Sequence, residues 1–370
     1  MKKKKVLFII WSFTFGGGAE RVLATLVNAM PKDKYEIDIL EYWHSNINEE
    51  KVDDNINILK PVVDSLHEGK VRRVLKMFLL YFAPGILRKK YIKKDYDIEI
   101  SFNYMIPSFL LRKTGKTIAW VHSDIYDLLD DKYKRLKQKK AWENTDYIVA
   151  ISEKTYKSII EIYPEFKNKT VIINNSYDFD SMLIKGNEIK LAKSVDVKEI
   201  LFMGRYDDRK NPLYLVEVLN NLKNKKLKYH VTFMGRGELK DALISKINEY
   251  QLSDNITVLD YQKNPYPYIK NADIIASTSK SEGFPTVFVE GMTFGHPFIT
   301  TEVGGARELS NNGKCGLIAK DIDDYTHKLE SLITDKELYK NMSNACVKYV
   351  KKYSTENQVK EIEKLISQIK

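Results

Sequence analysis

The sequence is poor in cysteine and has no long apolar run. Only two of its 370 residues are cysteine, Cys315 and Cys346, and they lack the CxxC spacing of a zinc site. This shortage argues against a disulfide framework and is typical of a reducing cytoplasm. No apolar stretch reaches the roughly 18 residues that a membrane-spanning helix needs.

The amino terminus, MKKKKVLFIIWSF, has the basic head and apolar run of a secretory signal peptide. However, the apolar run VLFIIW has only six residues and passes directly into FGGGAER, without a small-residue cleavage site. We therefore interpret this segment as a first buried strand.

The length and composition indicate a globular protein of two domains. A chain of 370 residues is too long for one ordinary core and suits two domains of about 150–200 residues. Hydrophobic residues make up 43% and charged residues 30%, which excludes a disordered chain. The net charge of +10 indicates an acidic partner, which leaves nucleic acid, anionic lipid and a phosphorylated substrate open.

Short apolar runs alternate with helical patterns along almost the whole chain. This alternation predicts parallel, doubly wound sheets, here two Rossmann-like domains with a ligand cleft at their strand ends. The weakly periodic, polar stretch 176–197 predicts the domain boundary. Strands are predicted at 6–11, 37–42, 98–102, 117–121, 147–151, 170–173, 200–203, 230–234, 256–259, 274–277 and 297–300.

Three loops have the composition of anion-binding loops, and the first is GGG at 16–18. Glycines let a ligand approach the backbone, and the following helix offers free N–H groups. The loop is not GxGxxG, and no acidic residue is expected to end the second strand, so a nicotinamide cofactor is disfavoured. A plain tight turn explains this loop equally well.

The second loop, MGRYDDRKNP, runs from Met203 to Pro212. Asn211 is expected to cap a helix whose first residue is Pro212. Arg205 and Lys210 then flank the end of a strand, where both can reach one phosphate group. The alternative is an ordinary solvated loop.

The third loop precedes a helix in SEGFPTVFVEG. Pro285 is expected to be the first helical residue, and Thr286 and Glu290 share a helix face. Carboxylates recognise vicinal diols, because each hydroxyl can donate to one oxygen. Glu282 and Glu290 therefore suit a sugar and a ribose, with a diphosphate between them. The alternative is a pair of exposed glutamates.

The segments GRYDDRKNP, FMGRGELKDAL and ADIIASTSKSEGFPTVFVEGMTFGHPFITTEVGGARE resemble the donor domain of family 4 retaining glycosyltransferases with the GT-B fold. The glutamates of the third loop match that family's E-x7-E motif. GGGAERVLATLVNAM and YIVAISEKTYKSII resemble parts of its first domain, so the resemblance covers nearly the whole chain. Asn211 departs from the family, which usually has glycine there.

The resemblance implies a role for each matching residue. Arg205 and Lys210 would neutralise the donor diphosphate, Glu282 would bind the sugar, and His122 would lie on the acceptor side. Of the six histidines, His122 is the one we assign to the site. The implied donor-binding residues are Gly17, Gly18, Gly204, Gly235, Gly237, Tyr261, Gln262, Gly283, Phe284, Pro285, Thr286 and Glu290.

The implied domains are an acceptor-binding domain at 1–180, a nucleotide-sugar-binding domain at 181–350, and a helix at 351–370 that packs back on the first domain. The implied reaction moves a sugar, a hexose carried on a nucleoside diphosphate such as UDP, to an acceptor hydroxyl with retention of configuration. No metal or other cofactor is expected, since no D-x-D pair lies beside the three loops.

The stretch 70–95 carries nine basic residues around an apolar run, and Pro84-Gly85 predicts two short amphipathic helices. Such segments lie on anionic membranes, which favours peripheral attachment at the inner face of the cell membrane and a lipid-linked glycan acceptor, as in capsule synthesis. The alternative is that Phe78, Leu79 and Phe82 pack on the first domain. Nucleic acid is disfavoured, because no aromatic-basic platform accompanies the charge.

Two other functions are weighed against the transferase. A nucleotide-sugar 2-epimerase shares the GT-B fold, but lacks the glutamate pair and the Arg/Lys arrangement in this form. A non-catalytic GT-B partner subunit tends to lose donor-site charges, and here Arg205, Lys210, Glu282 and Glu290 are all present.

Overall fold

The chain folds into two compact units in a computed structural model. The structure describes residues 2–15, 18–45, 50–103, 106–113, 115–122, 125–127 and 131–369. The first unit comprises residues up to Tyr177 together with Tyr353 onward, and the second unit spans Asp178–Lys352.

The first unit is built on a parallel sheet of seven strands in the order β4-β2-β1-β6-β7-β8-β9. A small second sheet pairs β3 with β5. The central strands are buried over most of their length, as the apolar runs predict. The strands are β1 (Lys4–Ile10), β2 (Tyr35–Glu41), β3 (Trp43–His44), β4 (Ile56–Ile58), β5 (Val63–Asp64), β6 (Ile98–Ser101), β7 (Lys116–Val121), β8 (Tyr147–Ala150) and β9 (Thr170–Ile172).

Helices cover this sheet, and α1 buries an apolar stripe against it. In α1, Val22, Leu23, Leu26 and Val27 are buried, at the spacing of one helix face. The predicted break near Pro84 is confirmed, because α2 ends at Phe82 and α3 begins at Pro84. The helices are α1 (Gly18–Ala29), α2 (Lys70–Phe82), α3 (Pro84–Tyr91), α4 (Lys132–Trp142) and α5 (Glu153–Ile162).

The second unit has a six-stranded parallel sheet in the order β12-β11-β10-β13-β14-β15. Its strands are β10 (Lys198–Met203), β11 (Tyr229–Met234), β12 (Ile256–Leu259), β13 (Ile274–Ser277), β14 (Phe298–Thr301) and β15 (Gly316–Ala319). Its helices are α6 (Phe179–Lys185), α7 (Pro212–Leu222), α8 (Lys240–Glu249), α9 (Tyr266–Asn271), α10 (Thr286–Thr293), α11 (Ala306–Ser310), α12 (Ile322–Thr334) and α13 (Lys336–Tyr349).

The last helix, α14 (Thr355–Gln368), belongs to the first unit and packs against α1. Lys34 binds Glu363 of this helix at 3.0 Å, and Gln358 donates to the Asn174 carbonyl at 2.9 Å. Among the described residues, no helix is long and apolar enough to cross a membrane.

The eleven predicted strands are all present, and the predicted class of parallel α/β sheets in two domains is confirmed. The sequence did not reveal β15 or the short edge strands. It also missed α6, which lies inside the stretch expected to be an irregular boundary; α6 is only seven residues long and buries only Met182.

His296, in the turn between α10 and β14, should make the second unit acid-sensitive. Burial lowers the pKa of its imidazole to about 4, below the value of about 6.5 for an exposed histidine. The unfolded chain therefore binds the proton first, so the free energy of unfolding falls as the pH drops from about 6.5 to about 4. The free energy of unfolding, measured in urea, should fall between pH 7 and pH 4.5 in the wild type. In His296→Leu we expect this fall to be smaller by about 2–3 kcal/mol. Equal losses in both proteins would contradict this.

Candidate functional site

The carboxyl ends of β10, β11 and β12 are held together by close backbone contacts. A side chain at Gly235 would place its Cβ 1.8 Å from the Gly204 carbonyl oxygen, and one at Gly237 would place it 2.2 Å from the Tyr206 oxygen. The Tyr206 hydroxyl donates to the Leu259 carbonyl at 2.7 Å. These glycines are therefore required by packing at this edge, where ligands bind in doubly wound sheets.

A carboxylate and two cations meet at this edge. Glu282 is buried, and its Oε1 accepts hydrogen bonds from Lys210 Nζ and, at 2.8 Å, from Ser279 Oγ. Arg209 lies on the other side, 3.8 Å from Oε2. The Lys210 backbone N–H donates to Asp207 at 2.8 Å, which fixes the loop that carries both cations. Residues distant in sequence thus form one charged cluster.

Arg205 and Asn211 lie at the two ends of the same loop. Arg205 is exposed and pairs with Asp207 at 2.9 Å. Asn211 lies at the N-cap position and Pro212 is the first residue of α7, as predicted, but the Asn211 side chain makes no capping hydrogen bond. Its backbone is left-handed, with φ 49°, and its carbonyl accepts from Thr278 Oγ1 at 2.8 Å. This conformation suits glycine, and asparagine tolerates it.

The third predicted loop ends at the start of α10. The helix begins at Thr286, so Pro285 is the residue before the helix rather than its first residue; its backbone is extended, with ψ 104°. Gly283 and Thr286 are half-buried, while Phe284 is buried. Glu290, in the second turn, is 3% exposed. The alternative of two exposed glutamates is therefore wrong, because both carboxylates are buried.

Two further predicted residues follow β12. Tyr261 is exposed, and the Arg236 guanidinium lies 5.2 Å from the centre of its ring. The Gln262 amide donates to the Asp260 carbonyl at 3.1 Å. Arg236 follows β11, so this pair also lies at the carboxyl edge of the second sheet.

The first unit holds the other predicted residues. His122 directly follows β7 and lies 4.4 Å from the Phe102 ring, centre to centre. Burial lowers the pKa of His122 to about 3, so its imidazole is neutral at pH 7. Gly18 is the exposed first residue of α1, and Gly17 lies outside the described residues.

One premise drawn from the sequence is wrong. The second strand does end in an acidic residue, because β2 ends at Glu41. The pairing of β2 with β1 stops at Glu41. The sequence predicted a strand that continues to Tyr42, so Glu41 was not recognised as its last residue. The Glu41 carboxylate accepts the Phe13 N–H at 2.9 Å and contacts His44, so it is occupied by neighbouring protein groups.

Sequence reasoning missed Arg209, Ser279 and Arg236. Arg209 had a signal, since it lies in the same basic loop as Arg205 and Lys210. Ser279 had none, because its role depends on a contact with Glu282. In the part of the chain that the structure describes, no group of three or more acidic, histidine or cysteine side chains is arranged to hold a metal ion.

Comparisons with known proteins cover both units. The family model described as "Glycosyltransferase Family 4" matches residues 16–181, and "Glycosyl transferases group 1" matches 185–349. An uncharacterised glycosyltransferase of Methanocaldococcus jannaschii is 28% identical over 220 residues, which cover 55% of this chain and 54% of that protein.

A second relative matches over its whole length. It is the GalNAc-α-(1→4)-GalNAc-α-(1→3)-diNAcBac-PP-undecaprenol α-1,4-N-acetyl-D-galactosaminyltransferase of Campylobacter jejuni, 25% identical over 378 residues, with 99% of both chains covered. Among solved structures, Anabaena HepE in complex with UDP superposes with a TM-score of 0.75 at 16% identity, covering 99% of this chain and 100% of that one. At that identity, the superposition shows a shared fold.

Proposed function

We propose, from the premise that this chain belongs to the family 4-type glycosyltransferases of GT-B fold, that it moves a sugar from a nucleoside diphosphate to an acceptor hydroxyl with retention of configuration. One observation carries the proposal. The buried Glu282 carboxylate and the Lys210 ammonium meet at the carboxyl edge of the second sheet, beside the start of α10.

The diphosphate is the group that this edge suits best. Arg205, Arg209 and Lys210 supply three positive charges from one loop, and the first N–H groups of α10 supply further donors. When the sugar–phosphate bond breaks, negative charge grows on the leaving diphosphate. Fixed cations that meet this charge lower the barrier without a metal ion.

The two buried glutamates suit the hydroxyl-rich ends of the donor. Glu282 would accept hydrogen bonds from the sugar once Lys210 turns toward the diphosphate, and Ser279 and Arg209 would keep its carboxylate in place. Glu290 would hold the ribose. Tyr261 and Gln262, beyond β12, would lie near the base, and His122 would be a neutral hydrogen-bonding group on the acceptor side.

The reaction would be a same-face displacement. The acceptor oxygen bonds to the anomeric carbon as the bond to the diphosphate breaks, and the diphosphate takes the proton from the acceptor hydroxyl. Configuration is then retained without a protein nucleophile.

Nucleotide release from UDP-, GDP- and ADP-sugars tests this reaction. The assay is run with a lipid-linked saccharide acceptor, with and without EDTA, and the product anomer is read by NMR. We expect release from one donor, persistence in EDTA, and the donor's own anomeric configuration in the product. Release that needs a divalent metal, or an inverted product, would overturn the proposed chemistry. Conversion of the donor without acceptor would indicate an epimerase.

The acceptor that we propose is a lipid-linked glycan in polysaccharide assembly. The Campylobacter relative is named for an undecaprenyl-diphosphate-linked acceptor, and such an acceptor lies at a membrane surface. Phe78 and Phe82 are 56% and 63% exposed, so the alternative that they pack on the domain does not hold for these two residues, whereas Leu79 does pack on the core. We propose that this face of α2 and α3 contacts anionic lipid.

Apolar and basic groups lie together on these two helices. The exposed apolar residues are Val71, Val74, Leu75, Phe78, Phe82 and Ile86. Lys89 and Lys90, in the last turn of α3, are exposed as well. Apolar side chains can enter the lipid boundary while the cations bind anionic headgroups.

Replacing Phe78 and Phe82 together by serine should weaken binding to vesicles of phosphatidylglycerol and phosphatidylcholine. Each buried phenylalanine contributes about 1.5–3 kcal/mol, so we expect the partition coefficient to fall at least about tenfold in flotation assays. Ile184→Ser, at a residue 69% exposed on α6, is the control. Equal binding by both variants would contradict membrane contact through this face.

A further inference from the structure

The carboxyl edge of the first sheet carries a buried carboxylate that the proposed reaction does not use. Glu41 is the last residue of β2 and is 2% exposed. A buried carboxylate is costly unless hydrogen bonds satisfy it. The hydrogen-bond partners of the Glu41 carboxylate therefore indicate its structural role at this edge.

Glu41 joins two loops. Its Oε2 accepts the Phe13 N–H at 2.9 Å and the Thr14 hydroxyl at 3.3 Å, and its Oε1 contacts Nδ1 of His44 at 2.5 Å. The Ser45 N–H donates to Thr14 Oγ1 at 2.9 Å. The loop after β1 and the residues after β2 are thus locked together around one imidazole.

This arrangement fixes the tautomer of His44. Because a carboxylate accepts hydrogen bonds, Nδ1 carries the hydrogen, and the other ring nitrogen, Nε2, is an acceptor in the neutral ring. The His44 side chain is 26% exposed, and among the described residues none hydrogen-bonds Nε2. The ring therefore offers one oriented acceptor at the sheet edge.

A hydroxyl fits this nitrogen better than a phosphate does. When the imidazole is neutral, Nε2 accepts a hydrogen, which a hydroxyl supplies and a phosphate dianion lacks, and the Glu41 carboxylate repels an anion. The neighbouring Trp43 is half-buried and stacks with Trp11, with ring centres 5.9 Å apart. The Arg73 guanidinium also lies over the Trp43 ring, 6.0 Å from its centre, so neighbouring protein groups contact this aromatic side chain.

We propose that His44, oriented by Glu41, binds a hydroxyl of the saccharide acceptor through Nε2. The proposal rests on the proposed transferase function and names a subsite on the acceptor side. His44 is an acceptor-binding residue, and Glu41 is a positioning residue that acts through it.

The test is kinetics with the acceptor concentration varied, using a prenyl-diphosphate-linked N-acetylgalactosaminyl disaccharide as the probe. In His44→Asn, the amide can still donate to Glu41 but Nε2 is gone. We expect the acceptor KM to rise roughly tenfold, as for a lost hydrogen bond, with kcat changed less. The UDP dissociation constant should equal that of the wild type.

His67→Asn is the matched control, since His67 pairs with Asp64 three residues earlier, as His44 pairs with Glu41. That contact is 2.8 Å, and the His67 side chain is 80% exposed. An acceptor KM that is equal in the two variants would overturn the proposal.

A second variant keeps the test decisive if His44→Asn unfolds. Glu41→Gln keeps an acceptor for the Phe13 N–H, but its amide donates to Nδ1 and moves the ring hydrogen to Nε2. The acceptor KM should again rise with little change in melting temperature, and an unchanged KM would refute the proposal.

If the wild type transfers from no donor, the transferase proposal fails instead. The His44 proposal is then tested by calorimetry with the free disaccharide. It predicts that His44→Asn binds the disaccharide more weakly than His67→Asn does.

Discussion

We expect Lys210→Ala to lower kcat for sugar transfer by about 10²–10³-fold, the usual cost of losing one preorganised charge-stabilising group. Two effects combine in this variant. The proposed leaving diphosphate would lose its least exposed cation, since the Lys210 side chain is 20% exposed while those of Arg209 and Arg205 are 49% and 64% exposed. The buried Glu282 also loses a partner. Steady-state rates of nucleotide release measure the loss.

Lys280→Ala is the matched control, because Lys280 belongs to the same edge but pairs with the exposed Asp208. Its side chain is 52% exposed, and surface pairs of this kind contribute about 0–1 kcal/mol. We expect a rate within a few-fold of the wild type. A Lys210→Ala enzyme as active as the Lys280→Ala enzyme would show that Lys210 does not meet the leaving group.

Glu99→Ala should destabilise the first unit by about 3–5 kcal/mol, because it leaves a guanidinium partly buried without its partner. Glu99, in β6, is fully buried, and Arg88 of α3 binds both of its oxygens, at 2.5 and 2.7 Å. The Arg112 N–H donates to it at 3.0 Å, and Arg88 also donates to the Leu110 carbonyl at 2.8 Å. The pair fixes α3 to the central sheet. Urea unfolding followed by fluorescence measures the change.

Two variants sharpen this measurement. Lys139→Ala breaks an exposed pair with Glu165 in the same unit and should cost less than about 1 kcal/mol. Arg88→Met combined with Glu99→Leu removes both charges, so it should recover much of the stability lost in Glu99→Ala. A cost for Glu99→Ala no greater than that for Lys139→Ala would show that the pair is not effectively buried.

The strands were predictable because each is a short apolar run that packs in a two-sided parallel sheet. The second loop was predictable in part, since Arg205 and Lys210 follow a strand directly. What the sequence could not reveal is which side chains meet. Lys210 and Glu282 are separated by 72 residues, and their contact depends on β10 and β13 pairing side by side.

The errors have physical causes. Asparagine is a residue type that often caps helices, and the sequence shows only that. The backbone of Asn211 is left-handed, and its contribution is a carbonyl that accepts a hydrogen bond from Thr278. Glu41 was overlooked because an acidic residue inside an apolar run gives no sign of where strand pairing stops. His44 was missed as well, because its orientation depends on a contact with the buried Glu41 carboxylate that the sequence does not reveal.

A crystal structure of the protein with uridine diphosphate tests the central claim most directly. We predict that the diphosphate lies at the carboxyl edge of the second sheet, with its oxygens about 3 Å from Lys210 Nζ and from the first N–H groups of α10. Lys210 should have left Glu282, and Glu290 should hold the ribose. A nucleotide bound elsewhere on this unit, with Lys210 still paired to Glu282, would contradict the account.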